Sequence, residues 1–377
     1  MKILISSSYY APHISGLTNS IKNLAELLAK KDYKISVLTT QHNKNLAKKE
    51  IIKGVNVVRV SYLFKIHKGF FMPYFSLVAL RAIQKADQVI IGLPQMEGCF
   101  IALVAKLMRK RLHVIYTCEV TVGNIFGGKI IEAVMHASNK ISLFFADNII
   151  VLTADFGAHA ILLKGKSKKL HTIYPVIIPP ITDPVSQKYF GRRLSSKRYH
   201  IGFLGRIAPE KGIEYLISAI PLLRKSLDNN FTIVLAGPLH AVGEKKYLQT
   251  MDKLIKENKE VILQLGELQE NELGAFYSLM DVIVLPSVNM TEAFGMVQVE
   301  AMFCGTPVVA TDLPGVSSIV QVTGMGEIAK KRDISDLAKK INKVIKNKHS
   351  YIRERKKIAK IFATDDIFLQ YEQLFKN

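Results

Sequence analysis

The chain has 377 residues, 49% hydrophobic and 22% charged, with a formal net charge of +21 at pH 7. That length exceeds what one hydrophobic core usually supports, and that balance excludes a disordered or fibrous chain, so two globular domains are expected. The three cysteines, Cys99, Cys118 and Cys304, lie far apart without ligand spacing, which excludes a disulfide framework and a zinc site and fits a reducing compartment.

Met1–Ile5 enters a strand pattern directly, with no basic, apolar and cleavable leader. Short apolar runs at Ile3–Ser7, Ile35–Thr40, Val55–Val60, Val89–Leu93, His113–Thr117 and Ile149–Thr153 read as buried parallel strands. Between the first two, Thr18–Lys30 places Ile21, Leu24, Ala25, Leu27 and Leu28 on one helical face, completing a βαβ unit. The rhythm breaks at Tyr174–Pro184, where four prolines rule out a helix or a central strand and mark an interdomain linker.

A second alternation follows. Strands are predicted at His200–Leu204, Thr232–Ala236, Val261–Leu265, Val282–Leu285 and Pro307–Ala310, with helices near Ile213–Leu227, Lys246–Glu257, Glu270–Leu279, Met296–Phe303 and Asp333–Asn347. The expected fold is α/β, with two doubly wound domains facing each other across a cleft. Residues 1–180 form the first, completed by the tail 358–377, and residues 185–357 form the second. In such sheets ligands bind beyond the carboxyl ends of the strands.

Two segments carry the chemistry. Thr291–Met302 follows the strand Val282–Leu285 and enters an apolar helix, with Glu292 before it, Gly295 at its first turn and Glu300 about two turns in. A glycine there exposes backbone N–H groups to an anion, and ionised carboxylates accept several hydrogen bonds from sugar hydroxyls. A capping glutamate and an ordinary charged helix residue would fit the same positions. The second segment, Phe203–Gly212, sets Arg206 and Lys211 around a tight turn, where two fixed cations can neutralise a diphosphate. A strand–turn–helix with solvated basic residues also fits.

Taken together, these segments resemble glycosyltransferase family 4, which has the GT-B fold. EAFGMVQVE matches that family's pair of glutamates separated by seven residues, and LGRIAPEKG matches its phosphate-binding loop. IVLAGP at Ile233–Pro238, LGEL at Leu265–Leu268 and CGTPVVATDLPG at Cys304–Gly315 match as well. The resemblance implies that Arg206 and Lys211 hold the donor diphosphate beside Gly205. It also implies that Glu292 contacts the donor sugar, with Phe294, Gly295, Met296 and Val297 close to sugar and phosphate. Glu300 would bind the ribose, and the nucleobase would stack near Gly266–Leu268. Family members retain anomeric configuration, with the leaving phosphate helping to deprotonate the acceptor, so Glu292 is not expected to be a covalent nucleophile.

In the first domain, Tyr9–Leu17 resembles the family's glycine-rich loop, with Ser15 in place of the first glycine and Gly16 retained for close approach to the donor phosphates. His13 in that loop is a candidate base. The histidine that usually faces the donor sugar is replaced by Thr117, and Glu119 and Glu97 are further sugar- or acceptor-facing candidates. No Asp-x-Asp dyad is present, so no cofactor or metal is expected, and charge neutralisation falls to Arg206, Lys211 and helix termini.

The positive charge fits an anionic membrane surface, to which each nearby Lys or Arg adds about 1 kcal/mol. It also fits a lysine-rich solvated surface. No RNP-like pattern, zinc module or helix-turn-helix supports a nucleic-acid partner. The basic-apolar stretches Lys65–Met72 and Ile161–Leu170 are candidate headgroup contacts. No apolar run approaches the roughly 20 residues that span a bilayer. The expectation is a cytoplasmic protein, peripheral on the inner face of the membrane, that moves a hexose from a UDP- or GDP-sugar to a glycolipid or lipid-linked glycan. A catalytically weak donor-binding subunit and a GT-B nucleotide-sugar epimerase are the alternatives.

Overall fold

A computed structural model describes residues 1–66, 69–121, 128–194, 197–238 and 245–376. They form two compact units: Met1–Val176 with Phe362–Asn377, and Ile177–Ile361.

The first unit contains β1 (Lys2–Ser6), β2 (Lys34–Thr40), β3 (Lys49–Ile52), β4 (Val55–Val60), β5 (Phe64–Ile66), β6 (Gly69–Phe71), β7 (Gln88–Leu93), β8 (Arg111–Tyr116), β9 (Asn148–Val151) and β10 (Leu170–Thr172). Eight of them form one sheet in the order β10-β9-β8-β7-β1-β2-β4-β3. All neighbours are parallel except β3, which closes the edge antiparallel to β4. The six predicted strands are present. β3, β10 and the ribbon β5–β6 were not anticipated, because KEII, LHT, FKI and GFF are too short or too polar to show a period.

The central strands are buried on both faces, as continuous Val/Ile/Leu runs require when helices cover a parallel sheet. The helix Gly16–Lys30 buries Ile21, Leu24, Ala25, Leu27 and Leu28, as its periodicity predicts. The C-terminal helix Thr364–Lys376 belongs to this unit through buried Ile367, Tyr371, Leu374 and Phe375. It is tied by Gln88 Nε2 donating to the Phe375 carbonyl at 2.7 Å.

The second unit contains β11 (Tyr199–Leu204), β12 (Phe231–Ala236), β13 (Ile262–Gly266), β14 (Val282–Leu285), β15 (Val308–Thr311) and β16 (Gly326–Ala329), all parallel in the order β13-β12-β11-β14-β15-β16. β16 was not anticipated. It starts at Gly326, whose added Cβ would lie 1.9 Å from the Val308 carbonyl oxygen, so close strand pairing demands the glycine that hides the strand in the sequence. The single helix expected over Ile213–Leu227 is two, Ile213–Ser218 and Ile220–Ser226, because Pro221 has no N–H to continue the ladder. Residues 173–183, which include most of the proline-rich segment, contain neither helix nor strand.

Candidate donor site of the second unit

The strand order reverses direction between β11 and β14: β12 and β13 lie on one side, β15 and β16 on the other. In open parallel sheets that switch point is where the loops beyond the carboxyl ends diverge and leave a crevice. Both chemistry-bearing segments leave from it.

After β11, Gly205 still donates to Ala236 O at 2.9 Å, and Ile207 N donates to Pro238 O at 3.3 Å. Pro209–Lys211 makes one 3-10 turn and ends at Gly212 with φ +63°, in the left-handed region. A Cβ on Gly212 would lie 2.1 Å from the Pro286 carbonyl oxygen, so only glycine lets the β11 and β14 loops meet. Val288 N then donates to Glu210 O at 3.1 Å and pins the loops together by their backbones.

That contact brings Lys211 and Glu292, 81 residues apart, into a direct ion pair whose side chains are 22% and 16% exposed. Arg206 pairs with Glu210 at 2.9 Å on the same turn. Both cations are held by carboxylates at the rim, within reach of solvent.

The β14 loop ends at Gly295, with φ +73°, which caps the helix Met296–Phe303. A Cβ there would lie 2.5 Å from Leu285 Cδ2, so packing and backbone conformation both require glycine. Met296 and Val297 supply the first N–H groups of that helix, which intrahelical bonding leaves unmatched and which favour an anion. Phe294 is 2% exposed with its side chain in the core, which leaves its backbone to serve a ligand.

Glu300, on the same helix, is half-buried and accepts a hydrogen bond from the Tyr277 hydroxyl at 2.6 Å. Burial raises the Glu300 carboxyl above its usual 4.5, against the opposing effect of the Tyr277 hydrogen bond. Tyr277 is fully buried, and its phenol is raised well above 10, by burial first and by Glu300 second. It was not anticipated: within Glu270–Leu279 it reads as one more apolar helix position. Leu268 follows β13 and is buried; Gly266 before it has φ +80° with open space where a Cβ would be.

The first-unit candidates divide. Ser15, standing where the family has glycine, is the N-cap of Gly16–Lys30 and accepts from Thr18 N at 3.2 Å. Among the described residues a Cβ on Gly16 would meet nothing within 4 Å, so no contact with them requires that glycine. His13 lies 3.1 Å from the Thr18 hydroxyl and stacks on Tyr9 at 4.2 Å, with His42 edge-on at 5.5 Å. Phe70 completes this aromatic group against Tyr9 at 5.5 Å. The His42 imidazole is held below its usual 6.5 by burial and then by Arg59. Glu97, just past β7, is pushed above its usual range by burial, despite hydrogen bonds from its own backbone and Gln95.

Thr117 and Glu119 are buried and bonded to backbone. Thr117 is 6% exposed and its hydroxyl donates to the Leu93 carbonyl at 2.9 Å, so its one proton closes the β7–β8 strand ends. Glu119 is 7% exposed and its Oε1 accepts from Ile161 N at 2.8 Å, capping the turn Ile161–Leu163.

Two family models cover almost the whole chain: Glycosyltransferase Family 4 over residues 14–179, and Glycosyl transferases group 1 over residues 186–361. The chain is a family 4-type glycosyltransferase. It has the two-domain α/β GT-B fold of that family. It is 28% identical to an uncharacterized glycosyltransferase of Methanocaldococcus jannaschii over 92% of this chain and 89% of that one. Over 46% of this chain and 47% of the relative, it is 28% identical to the lipopolysaccharide 1,2-N-acetylglucosaminetransferase of Salmonella typhimurium. Sucrose-phosphate synthase from Thermosynechococcus elongatus superposes with TM-score 0.79 at 18% identity, over 100% of this chain and 98% of that one. Anabaena HepE in complex with UDP and glucose superposes with TM-score 0.78 at 17% identity, over 100% and 99%.

Proposed function

We propose that this glycosyltransferase moves a hexose from a UDP- or GDP-sugar to a membrane-associated glycolipid or lipid-linked glycan, with retention of anomeric configuration and without a metal ion. The observation that carries the donor half is the meeting of Arg206, Lys211 and Glu292 at the switch point of the second sheet. A diphosphate entering there would replace the carboxylates as the partner of both cations, beside the N–H groups of Met296 and Val297. Glu292, released from Lys211, would accept hydrogen bonds from the sugar hydroxyls. Glu300, oriented by Tyr277, would do the same for the ribose.

As the glycosidic bond to the leaving phosphate breaks, negative charge grows on that phosphate, where Arg206 and Lys211 stabilise it. The acceptor oxygen then attacks from the same face and passes its proton to the leaving phosphate. In the first unit, Gly16 leaves open space among the described residues at the start of its helix, and the half-buried rings of Tyr9, His13 and His42 lie in the same loop region. The acceptor class is supported by the charge of +21 and by the similarity to an enzyme of lipopolysaccharide synthesis. Among the described residues, no helix is long and apolar enough to cross a membrane.

Calorimetric titration with UDP, GDP and ADP, with and without a chelator, tests the donor half. Tight binding of one nucleotide that the chelator leaves unchanged is expected, and no binding of any would remove the assignment. Proton NMR of the first-formed product reads the anomer; an inverted product would overturn the same-face attack.

A further inference from the structure

One helix of the first unit is built inside out. The buried residues of Gly128–Phe145 are Gly128, Ser138, Asn139, Ser142 and Leu143, so its inward face is largely polar. Those polar groups serve the loop after β7. Ser138 Oγ donates to Met96 O at 2.7 Å and accepts from Cys99 N at 3.2 Å, and Asn139 Oδ1 accepts from Gln95 N at 3.4 Å.

A second set of residues, all apolar, lies on the outward face. Ile130, Val134, Ile141 and Phe144 are 71%, 47%, 42% and 65% exposed, and Ala133 and Ala137 are exposed with them. Positions 130, 134, 137, 141 and 144 alternate steps of four and three, which draws one continuous stripe along the helix. A surface helix normally turns such a stripe to the core, and a contiguous exposed strip marks an interaction surface.

The surroundings are cationic. Lys129 and Lys140 are exposed on the same helix. The turn Ile161–Leu163 packs against it, exposes Ile161, and leads into Lys164, Lys168 and Lys169. Lys169 Nζ donates to Ala146 O, just past the helix end, at 2.7 Å. A surface recess lined by Lys106, Arg109, Lys110 and Arg111 also takes in Asp147, which follows the helix end. An apolar strip rimmed by cations matches the interfacial zone of an anionic bilayer. A second copy docked stripe to stripe would instead bring these like charges together.

We propose that the outward stripe of Gly128–Phe145 is the surface by which the first unit lies on an anionic lipid bilayer. Ile130, Val134, Ile141 and Phe144 enter the acyl boundary, and the flanking lysines meet headgroup phosphates. The assignment rests on the membrane-associated acceptor proposed above and names the face that meets the lipid.

The chain has no tryptophan, so Val134→Trp places a single fluorophore on the stripe. With the full chain and vesicles of equimolar phosphatidylglycerol and phosphatidylcholine, its emission should move to the blue and be quenched by brominated acyl chains. Val322→Trp, on an exposed position of the second unit, should do neither. Ile141→Asp combined with Phe144→Asp should weaken vesicle binding by about tenfold or more, while circular dichroism and UDP affinity stay unchanged. Vesicle binding that survives the aspartates, with no quenching at the Val134→Trp side chain, would overturn the stripe and leave the membrane reading standing. No vesicle binding by the unaltered chain would overturn both. A dimer that Ile141→Asp dissociates, with no lipid binding, would give the stripe to a second copy and overturn the proposal.

Discussion

The polar residues at the carboxyl ends of the two sheets are used in opposite ways. In the second unit, Lys211 and Arg206 are paired with the side chains of Glu292 and Glu210, at the rim and partly exposed. In the first, Thr117 and Glu119 are paired with the backbone of Leu93 and Ile161, and both are buried. A side-chain pair at a surface can exchange partners when a diphosphate arrives. A buried bond from side chain to backbone cannot, because breaking it strands a desolvated peptide group. The first arrangement leaves charged groups open to a ligand, and the second holds a chain in place.

Substitutions can break this contrast, and the largest effect should come from Lys211→Ala. Removing one preorganised cation should lower kcat/KM by about 10²–10³-fold, with thermal stability nearly intact; a steady-state assay with the donor identified by titration checks this. If turnover were unchanged, the pair with Glu292 would be structural after all. Glu119→Ala should do the reverse. Loss of a charge-assisted bond to Ile161 N should destabilise the first unit by roughly 1.5–3 kcal/mol, read as a lower calorimetric Tm, with nucleotide affinity unchanged.

Tyr277→Phe sharpens the contrast within the second unit, since Tyr277 is a buried positioning residue acting through Glu300. Its hydrogen bond favours the ionised carboxylate, so losing it leaves burial unopposed and raises the Glu300 pKa further. Nucleotide binding should weaken by about three- to tenfold, and its acid limb should move to higher pH, as titrations across pH would show. A uniform loss with no displacement of the limb would mean that Tyr277 only packs. The smallest effect belongs to Thr117→Val, at about 0.5–1.5 kcal/mol of stability with turnover per folded molecule unchanged. A tenfold loss of turnover would restore Thr117 to the sugar.

The loops after β11 and β14 were legible because their backbone constraints are local. Gly205–Gly212 and Glu292–Glu300 are short, contiguous, and fixed by glycines whose left-handed φ or close contacts no other residue tolerates. The backbone partners of Thr117 and Glu119 were not legible, because a hydroxyl and a carboxylate look alike in sequence whether they meet a ligand or a carbonyl and an amide. Their partners are 24 and 42 residues away.

By itself the sequence determined the alternation of buried strands and helices, the proline-rich break between two α/β units, and the positions of the glycine-bearing turns after β11 and β14. Each is set by periodicity or backbone stereochemistry within a dozen residues. The tertiary structure decided the rest. It pressed Gly212 against Pro286, so that Lys211 meets Glu292; it placed Tyr277 behind Glu300; and it turned the polar side of Gly128–Phe145 inward. These outcomes depend on which hydrogen-bonding groups lie together after folding. A buried donor or acceptor must take whatever partner the packing presents, and that partner is rarely its neighbour in the chain.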